Sequence, residues 1–528
     1  PCLYLVMLIS TLFAYFWMMP DEFKNFGQSV FATTLFSNNV LLALTSGYWA
    51  LASEYKPLLH TWSLGVEEQY YIVFPFVLII GWKYFRRYLG ATVFIIATIS
   101  LLLATWGVAK SPDLAFYLLP TRAWEILLGS LTAFYLSNKT SLSNDPVQSN
   151  FLSFVGLLLI VVAIFTFGIN QPSPGLFTLV PVIGTALIIV YASEQTFAGK
   201  LLGNKFAVGF GLISYSSYLW HQPLFSFSRI YLVNTPSSSM TALLTVTTFF
   251  IAYLSWKFVE IPFRDKSLFS RNAIFLGAVL CSAAFLIGGL YLNKSYGMPL
   301  RVFPDNVSIQ DLDKRIYNER VFDYKKDRFS DLSKINVLVT GNSTGRDFVN
   351  MTSETFDMSN VEIVYQDEFG DCILPFKNNI YKKLVQDADI VVFASNYKEG
   401  CIKENIEYSK KNGFNLFYSG PKAFGHNLNW IIRLPPAEQA NQFNPLPAET
   451  IESEQKLLAQ VPAENYLSLM SRVVKHGEIP ITDERGLPIS TDRVHLTKYG
   501  AVYFGKKALL TSRYGELLKN ACCMTRTD

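Results

Sequence analysis

The sequence predicts a multi-pass α-helical membrane bundle followed by a soluble α/β sandwich domain. Three observations carry this prediction. Charge is split along the 528 residues: residues 1–297 hold 16 Lys+Arg and 11 Asp+Glu, whereas residues 298–528 hold 29 and 30. That is about 9% against about 26%, and only the second figure is normal for a globular domain. The first part contains repeated apolar runs long enough to cross a bilayer. The second part alternates short apolar runs with helical stretches, the pattern of an α/β layer structure. With 50% hydrophobic residues overall, the chain is not a disordered, fibrous or disulfide-rich protein. The charge balance argues against nucleic-acid binding, because the net +4 comes from the membrane part and the remainder sums to −1.

Nine spanning helices are predicted, at 3–19, 65–82, 91–107, 122–137, 151–169, 176–192, 206–228, 241–260 and 272–293. The run at 29–51 is broken by Ser37, Asn38, Asn39 and Ser46 and reads as an interfacial segment. Alternate short loops differ in positive charge. One set holds Lys83, Arg86, Arg87, Lys139, Lys200, Lys205, Arg264, Lys266 and Arg271; the other holds Lys24, Lys56, Lys110 and Arg229. The richer set is placed in the cytoplasm. The ninth helix then delivers residues 298–528 to the opposite side. The chain opens at Pro1 inside an apolar run, so a longer natural N-terminus is expected. Cys372 and Cys401 lie in the exported part and are candidates to pair. Cys2 and Cys281 sit in helices as apolar filler. No CxxC and no metal-ligand spacing occurs, so no metal site and no bound cofactor are predicted.

Ionisable groups near lipid are costly and usually functional. Four clusters stand out. In 59–71, His60 precedes Glu67 and Glu68, and the two carboxylates read as caps of a helix start. Arg122 and Glu125 stand at i,i+3 and form a pair on one helix face. His221 lies among aromatics in Tyr218-Leu219-Trp220-His221, where a structural role is the commoner one. Glu260 and Arg264 end a helix at the cytoplasmic face and read as an interfacial anchor.

Taken together, these clusters resemble the membrane-bound acyltransferase family 3. The stretch PLLHTWSLGVEEQYYIVFPF (57–76) is the specific match, and RAWEILLGSL (122–131), ISYSSYLWHQPL (213–224) and FVEIPFR (258–264) follow in the family's order. The resemblance covers residues 1–270. It implies a helical bundle that takes an acyl group, usually acetyl from acetyl-CoA as donor substrate, and delivers it to an extracytoplasmic acceptor. It also implies that His60, Glu67, Glu68, Arg122, Glu125 and His221 belong to the donor site in the membrane. The family's first helix carries an Arg and, about ten residues later, a His thought to be catalytic. Neither is present, so helix 3–19 corresponds to the family's third, and two preceding helices are expected.

In the exported part, residues 335–340 read as a buried strand followed by Gly341-Asn342-Ser343-Thr344-Gly345. Apolar runs at 361–365, 389–394 and 415–418 alternate with helical stretches near 378–387 and 402–412. Ser343 therefore stands on the loop after the first strand, at the carboxyl edge where open α/β sheets place ligands. Near the other end, Asp492 and His495 stand three apart on a turn. A serine nucleophile needs such a base and such an orienting acceptor. The Gly-x-Ser-x-Gly run also matches the α/β-hydrolase elbow. Order argues against that reading, because this serine follows the first strand and its acid and base are three residues apart.

The layout resembles the SGNH hydrolase family. Ser343 matches its nucleophile block, with Asn342 where Asp is usual. Gly370 matches the glycine block, Asn396 the asparagine block (with Ala394 where Gly is usual), and Asp492 and His495 the last block. The resemblance implies that His495 takes the Ser343 proton while Asp492 holds the imidazole. The Ser343 and Gly370 N–H groups and the Asn396 amide would hold the oxyanion. Structural alternatives are a turn role for Gly370 and for Asn396. His426 and His476 read as surface residues. The Pro-rich stretch 421–449 reads as an insertion, with Trp430 a less favoured sugar platform.

The expected organisation is an acyltransferase-3 domain over 1–271, a linking transmembrane helix over 272–297, a linker or extension over 298–334, and an extracytoplasmic SGNH-like domain over 335–528. Such a fusion resembles the O-acetyltransferases of bacterial surface polysaccharides, including lipopolysaccharide O-antigen. The implied partners are acetyl-CoA, a polysaccharide acceptor and membrane lipid, with no nucleic acid. The implied place is the bacterial inner membrane, with the SGNH-like domain periplasmic. Two other readings stay open: an extracytoplasmic carbohydrate esterase, and a non-enzymatic glycan transporter or scaffold, to which Asn342 and Ala394 lend support.

Overall fold

Apolar runs in the first part do become helices. The computed structural model describes residues 1–45, 53–138, 145–168, 171–232, 236–303, 307–394 and 399–520, and the chain divides into two units. The first, Pro1–Phe16 with Asn25–Lys294, is all helical. Its elements are α1 (Cys2–Trp17) up to Phe16, α2 (Pro20–Thr34) from Asn25 onward, α3 (Asn38–Thr45), α4 (Thr61–Phe85), α5 (Leu89–Lys110), α6 (Pro112–Tyr117) and α7 (Leu119–Asn138). They continue with α8 (Pro146–Thr166), α9 (Leu179–Tyr191), α10 (Phe197–Leu202), α11 (Lys205–Tyr231), α12 (Ser238–Ser255), α13 (Ile261–Arg264) and α14 (Arg271–Lys294).

Each predicted span falls on one of these helices. Among the described residues, five segments are long and apolar enough to cross a membrane on those grounds: Thr61–Tyr84, Arg86–Lys110, Pro146–Thr166, Ser238–Arg264 and Arg271–Lys294. Cys2–Trp17 and Leu176–Tyr191 are apolar but shorter. Helices α7 and α11 have the length and carry the charged and polar clusters instead. The five segments turn large apolar side chains such as Phe165, Phe250, Phe275 and Trp106 outward, as lipid-facing helices do. Small residues let helices of this unit approach closely: Gly156 and Gly184 bring α8 and α9 so close that a Cβ on either would stand 2.6–2.7 Å from the other's carbonyl oxygen. Residues 29–45, expected as an interfacial segment, form α3 and the end of α2. Asn38 and Asn39 are wholly buried there. Asn38 donates to Leu58 O (2.9 Å) and Asn39 to Tyr117 O (3.1 Å), so these polar groups are internal struts and do not face a membrane surface. The remainder of that run, 46–51, lies outside the described residues.

The second unit comprises Trp17–Lys24 and Ser295–Asp528. Residues expected to be a linker carry α15 (Ile309–Leu312) and α16 (Lys314–Glu319), and Leu312, Tyr317 and Val321 are buried in its core. Lys24 makes a buried ion pair with Asp313 at 2.9 Å. Then follow β1 (Ile335–Thr340), α17 (Ser343–Thr355), β2 (Val361–Gln366), α18 (Asn379–Asp387), β3 (Ile390–Phe393), α19 (Glu399–Asn412), β4 (Asn415–Ser419), β5 (Phe443–Pro445), α20 (Ala448–Leu458), β6 (Tyr466–Leu467), β7 (Glu478–Pro480), α21 (Lys498–Phe504) and α22 (Arg513–Asn520).

The main sheet is parallel in the order β2-β1-β3-β4-β6. Its strands are buried on both faces, so they read as continuous apolar runs. Alternate residues feed two cores. Val337, Val339, Ile363 and Val392 pack with Phe348 of α17 and Phe504 of α21. Leu338, Val364, Val391 and Phe393 pack with Leu384 of α18 and Ile402 of α19. Helices therefore cover both faces. Cys372 and Cys401 are joined in a disulfide, while Cys2 is buried and free and Cys281 is free on an exposed helix face.

Candidate active site

The strand register aligns the carboxyl ends of the sheet: Thr340 pairs with Gln366 on one side and with Phe393 on the other, and Phe393 pairs with Tyr418. The order reverses at β1, which has β2 on one side and β3 on the other. Such a switch point is where open α/β sheets hold ligands. Ser343 sits there, as the first residue of α17. Gly341 makes the turn out of β1 at φ +142°, a conformation open to glycine. Asn342 caps the helix by accepting the Thr344 N–H at 3.0 Å. Tyr365 of β2 donates its hydroxyl to the carbonyls of Gly341 (2.8 Å) and Asn342 (3.1 Å). Burial pushes that phenol up to about 12, which keeps the donor proton in place. The Asn at position 342 thus performs a local task that an Asp would also perform.

Asp492 and His495 meet directly. His495 Nδ1 lies 2.6 Å from Asp492 Oδ2, and both side chains are largely buried. The other carboxylate oxygen accepts the His495 N–H at 2.8 Å and the Val494 N–H at 3.1 Å. The turn between them is tight enough to force Arg493 to φ +79°. This turn lies against the helix that Ser343 opens: Leu496 N–H donates to Asp347 Oδ1 of α17 at 3.3 Å. Among the described residues no hydrogen bond joins the Ser343 hydroxyl to the His495 ring, so the contact expected between nucleophile and base is not made here. Catalytic hydrogen bonds of this kind often tighten only around substrate. Gly370, on the loop after β2, has φ +97° and is exposed. Asn396 lies outside the described residues; it follows β3, whose end is aligned with that of β1.

His426 and His476 are both exposed, as expected. His426 faces Glu449 at 3.5 Å, so it has a partner, although an exposed one. Trp430 packs against the core and donates to Asn444 Oδ1 at 3.2 Å, which fits the insertion and not a stacking platform. Lys422 and Asp347, which the sequence reading did not single out, form a buried pair at 2.6 Å beside the His495 turn.

In the helical unit, His60 is buried, with the Tyr218 ring 5.0 Å and the His221 ring 5.4 Å away. Among the described residues neither His60 ring nitrogen has a hydrogen-bond partner. His221 Nδ1 lies 2.6 Å from Tyr218 O, and the Tyr218 hydroxyl bonds to His60 O and lies 2.9 Å from Ser63 Oγ. The two histidines therefore share one aromatic cluster. Arg122 pairs with Glu125 at 3.2 Å and lies over the rings of Trp62 (5.0 Å) and Phe116 (5.3 Å). Glu67 and Glu68 do not cap a helix start. Helix α4 begins at Thr61, because His60 to Leu64 continue the turn, and this leaves both carboxylates in its second turn. Nor is Glu260 an interfacial anchor. It closes the π-helical turn Trp256–Glu260, is buried, and accepts a hydrogen bond from Ser216 as well as pairing with Arg264 at 3.4 Å. Ser216 lies 44 residues away, so no local pattern announces that partner.

Comparison with known proteins adds identity to this geometry. Residues 2–257 match a family model described as an acyltransferase domain. An uncharacterised Haemophilus influenzae protein is 35% identical over 186 residues, which is 33% of this chain and 75% of that protein. The chain belongs to this acyltransferase family. It is also 29% identical over 247 residues to a provisionally named O-acetyltransferase of Staphylococcus aureus, covering 43% of this chain and 41% of the relative. Peptidoglycan O-acetyltransferase of Listeria monocytogenes is 27% identical over 279 residues, or 50% of this chain and 44% of the relative. The chain thus spans less than half the length of either of these O-acetyltransferase relatives. No solved structure matches it.

Proposed function

We propose that the chain is an O-acetyltransferase that moves acetyl from cytosolic acetyl-CoA across the membrane to a sugar hydroxyl of a surface polysaccharide, such as lipopolysaccharide O-antigen. In this reading it resides in the bacterial inner membrane with its SGNH-like domain in the periplasm. The donor site lies in the helical unit and draws on His60, Glu67, Glu68, Arg122, Glu125 and His221. The α/β unit completes the transfer. The Ser343 Oγ attacks the carbonyl carbon of an acetyl group delivered by the helical unit. The bond from that carbon to its carrier breaks, and the serine proton passes through His495 to the leaving atom. A sugar hydroxyl then attacks the acetyl-serine, gives its proton to His495, and Ser343 takes the proton back. Asp492 orients the imidazole, and the N–H groups of Ser343 and Gly370 with the Asn396 amide hold the oxyanion.

The observation that carries the reading is the Asp492–His495 pair, held at 2.6 Å on a turn fastened to the helix that Ser343 opens, in a chain whose other half is an acyltransferase domain. The test uses cells that carry the full chain or its Ser343→Ala variant at equal membrane levels. Mass and NMR analysis of the surface glycan is expected to show O-acetyl groups with the first and none with the second. Full acetylation by Ser343→Ala would overturn the assigned nucleophile. More acetyl on the glycan when the gene is deleted would instead identify an esterase.

A further inference from the structure

Lys422 and Asp347 form an ion pair at 2.6 Å with side chains only 1% and 0% exposed. A buried pair of this kind is weak evidence for stability, because removing both ions from water offsets their attraction, and apolar replacements are often neutral or better. Its remaining hydrogen bonds show what it holds. Lys422 Nζ donates to Val494 O at 2.6 Å. Asp347 Oδ1 accepts from Leu496 N at 3.3 Å and from Asn318 Nδ2 at 2.7 Å. The residues on either side of His495 are therefore fastened to one ion pair. A third tether, Phe424 N–H to Arg493 O at 2.8 Å, comes from the same segment as Lys422. Between them Arg493 holds a left-handed conformation, which a non-glycine residue keeps only where its surroundings over-determine it. Asp347 itself stands one helical turn after Ser343 on α17.

We propose that the Lys422–Asp347 pair is a positioning device that fixes the His495 turn against the helix beginning at Ser343. Neither residue touches the reacting atoms. The inference rests on the reading of Ser343 as nucleophile and His495 as its base.

The test is labelling of the detergent-solubilised full chain by an alkyl fluorophosphonate. In that reaction the Ser343 Oγ attacks phosphorus, fluoride leaves and the serine proton goes to His495, so the rate reports how base and nucleophile are placed. The double variant Lys422→Met with Asp347→Leu removes both charges together and keeps apolar volume. It is expected to melt near the wild-type temperature and to show an unchanged half-saturating probe concentration. Its maximal labelling rate at Ser343 is expected to fall by about 10- to 100-fold, the usual cost of a small misplacement of reacting groups. Lys422→Met alone leaves a buried carboxylate without its cation and is expected to lower the melting temperature as well.

A double variant that labels at the wild-type rate would overturn the positioning role. So would one that no longer folds, since the pair would then belong to the stability of the core. Absence of Ser343 labelling in the wild-type chain is a different result: it would remove the nucleophile assignment on which this inference stands.

Discussion

His495 Nδ1 faces Asp492 Oδ2 at 2.6 Å, while the same carboxylate takes the His495 backbone N–H at 2.8 Å on its other oxygen. One side chain thereby fixes both the position of the histidine and the tautomer of its ring, with the proton on Nδ1 and a free lone pair on Nε2. That is the form in which an imidazole can accept a proton from a hydroxyl.

Asp492→Asn follows directly from this geometry. The amide can still accept the backbone N–H, so the turn is expected to persist. Its NH2 then faces Nδ1 and favours the tautomer whose lone pair points the wrong way. Acetyl transfer is expected to fall by about three to four orders of magnitude, with the melting temperature little changed. The measurement is the rate of O-acetyl incorporation into surface glycan; a loss under tenfold would contradict the orienting role.

Glu362 provides a pH-dependent prediction in the α/β unit. Burial raises its pKa, but hydrogen bonds from Ser330, Lys326 and the Asp331 N–H outweigh that and hold it below the ordinary glutamate range. A depressed folded-state pKa contributes stability above the unfolded value, about 4.3, and that stability is lost as pH falls through the folded value. Glu362→Gln is therefore expected to cost about 1–3 kcal/mol at neutral pH. The gap to wild type should close as pH drops below about 4. Thermal melts of both chains across that range provide the comparison, and a gap that widens in acid would refute the assignment.

The Cys372–Cys401 bond closes a loop of 29 residues. On a chain-entropy estimate this stabilises the α/β unit by about 3–4 kcal/mol. Replacing both cysteines by serine should lower the melting temperature accordingly. In intact membranes the two thiols should resist alkylation until a reductant is added, as expected in an oxidising compartment. Free alkylation without reductant would count against both the bond and the proposed periplasmic placement.

Much of this architecture was legible because burial leaves a mark on sequence. Strands β1, β3 and β4 are covered on both faces and show as unbroken apolar runs, and the spans facing lipid show as longer ones. What stayed hidden depends on partners far along the chain. Glu260 reads as an anchor until Ser216 appears beside it. Asp347 and Lys422 are 75 residues apart and look like ordinary surface charges. Asn38 and Asn39 look like breaks in an apolar run because their acceptors, Leu58 O and Tyr117 O, are backbone atoms with no sequence signature. Hydropathy predicts a start of α4 at residue 65, whereas the helix opens at Thr61 with polar and aromatic residues that bury against their neighbours. Ser343 opens α17 directly after β1, because a strand followed by Gly-x-Ser fixes that turn locally. Its distance from His495 depends on the fold of some 150 intervening residues.

The close approach of α8 and α9 yields a last prediction, for the helical unit. A Cβ at Gly156 would lie 2.6 Å from Gly184 O, and one at Gly184 would lie 2.7 Å from Gly156 O. Backbone oxygens cannot swing aside, so alanine at either position must push the two helices apart. Because lipid gives these helices no hydrophobic reason to associate, close backbone contact is a main source of their attraction. Gly156→Ala is expected to destabilise the detergent-solubilised chain by about 1–3 kcal/mol, read as a lower temperature of heat-induced unfolding. Gly129 of α7 is the control, since nothing lies within 4 Å of where its Cβ would be. Alanine there removes the helix penalty of glycine, about 1 kcal/mol, and should leave the melt unchanged or raise it. If both substitutions lowered the melt equally, the loss would come from glycine replacement in general, and the tight α8–α9 contact would not be its cause.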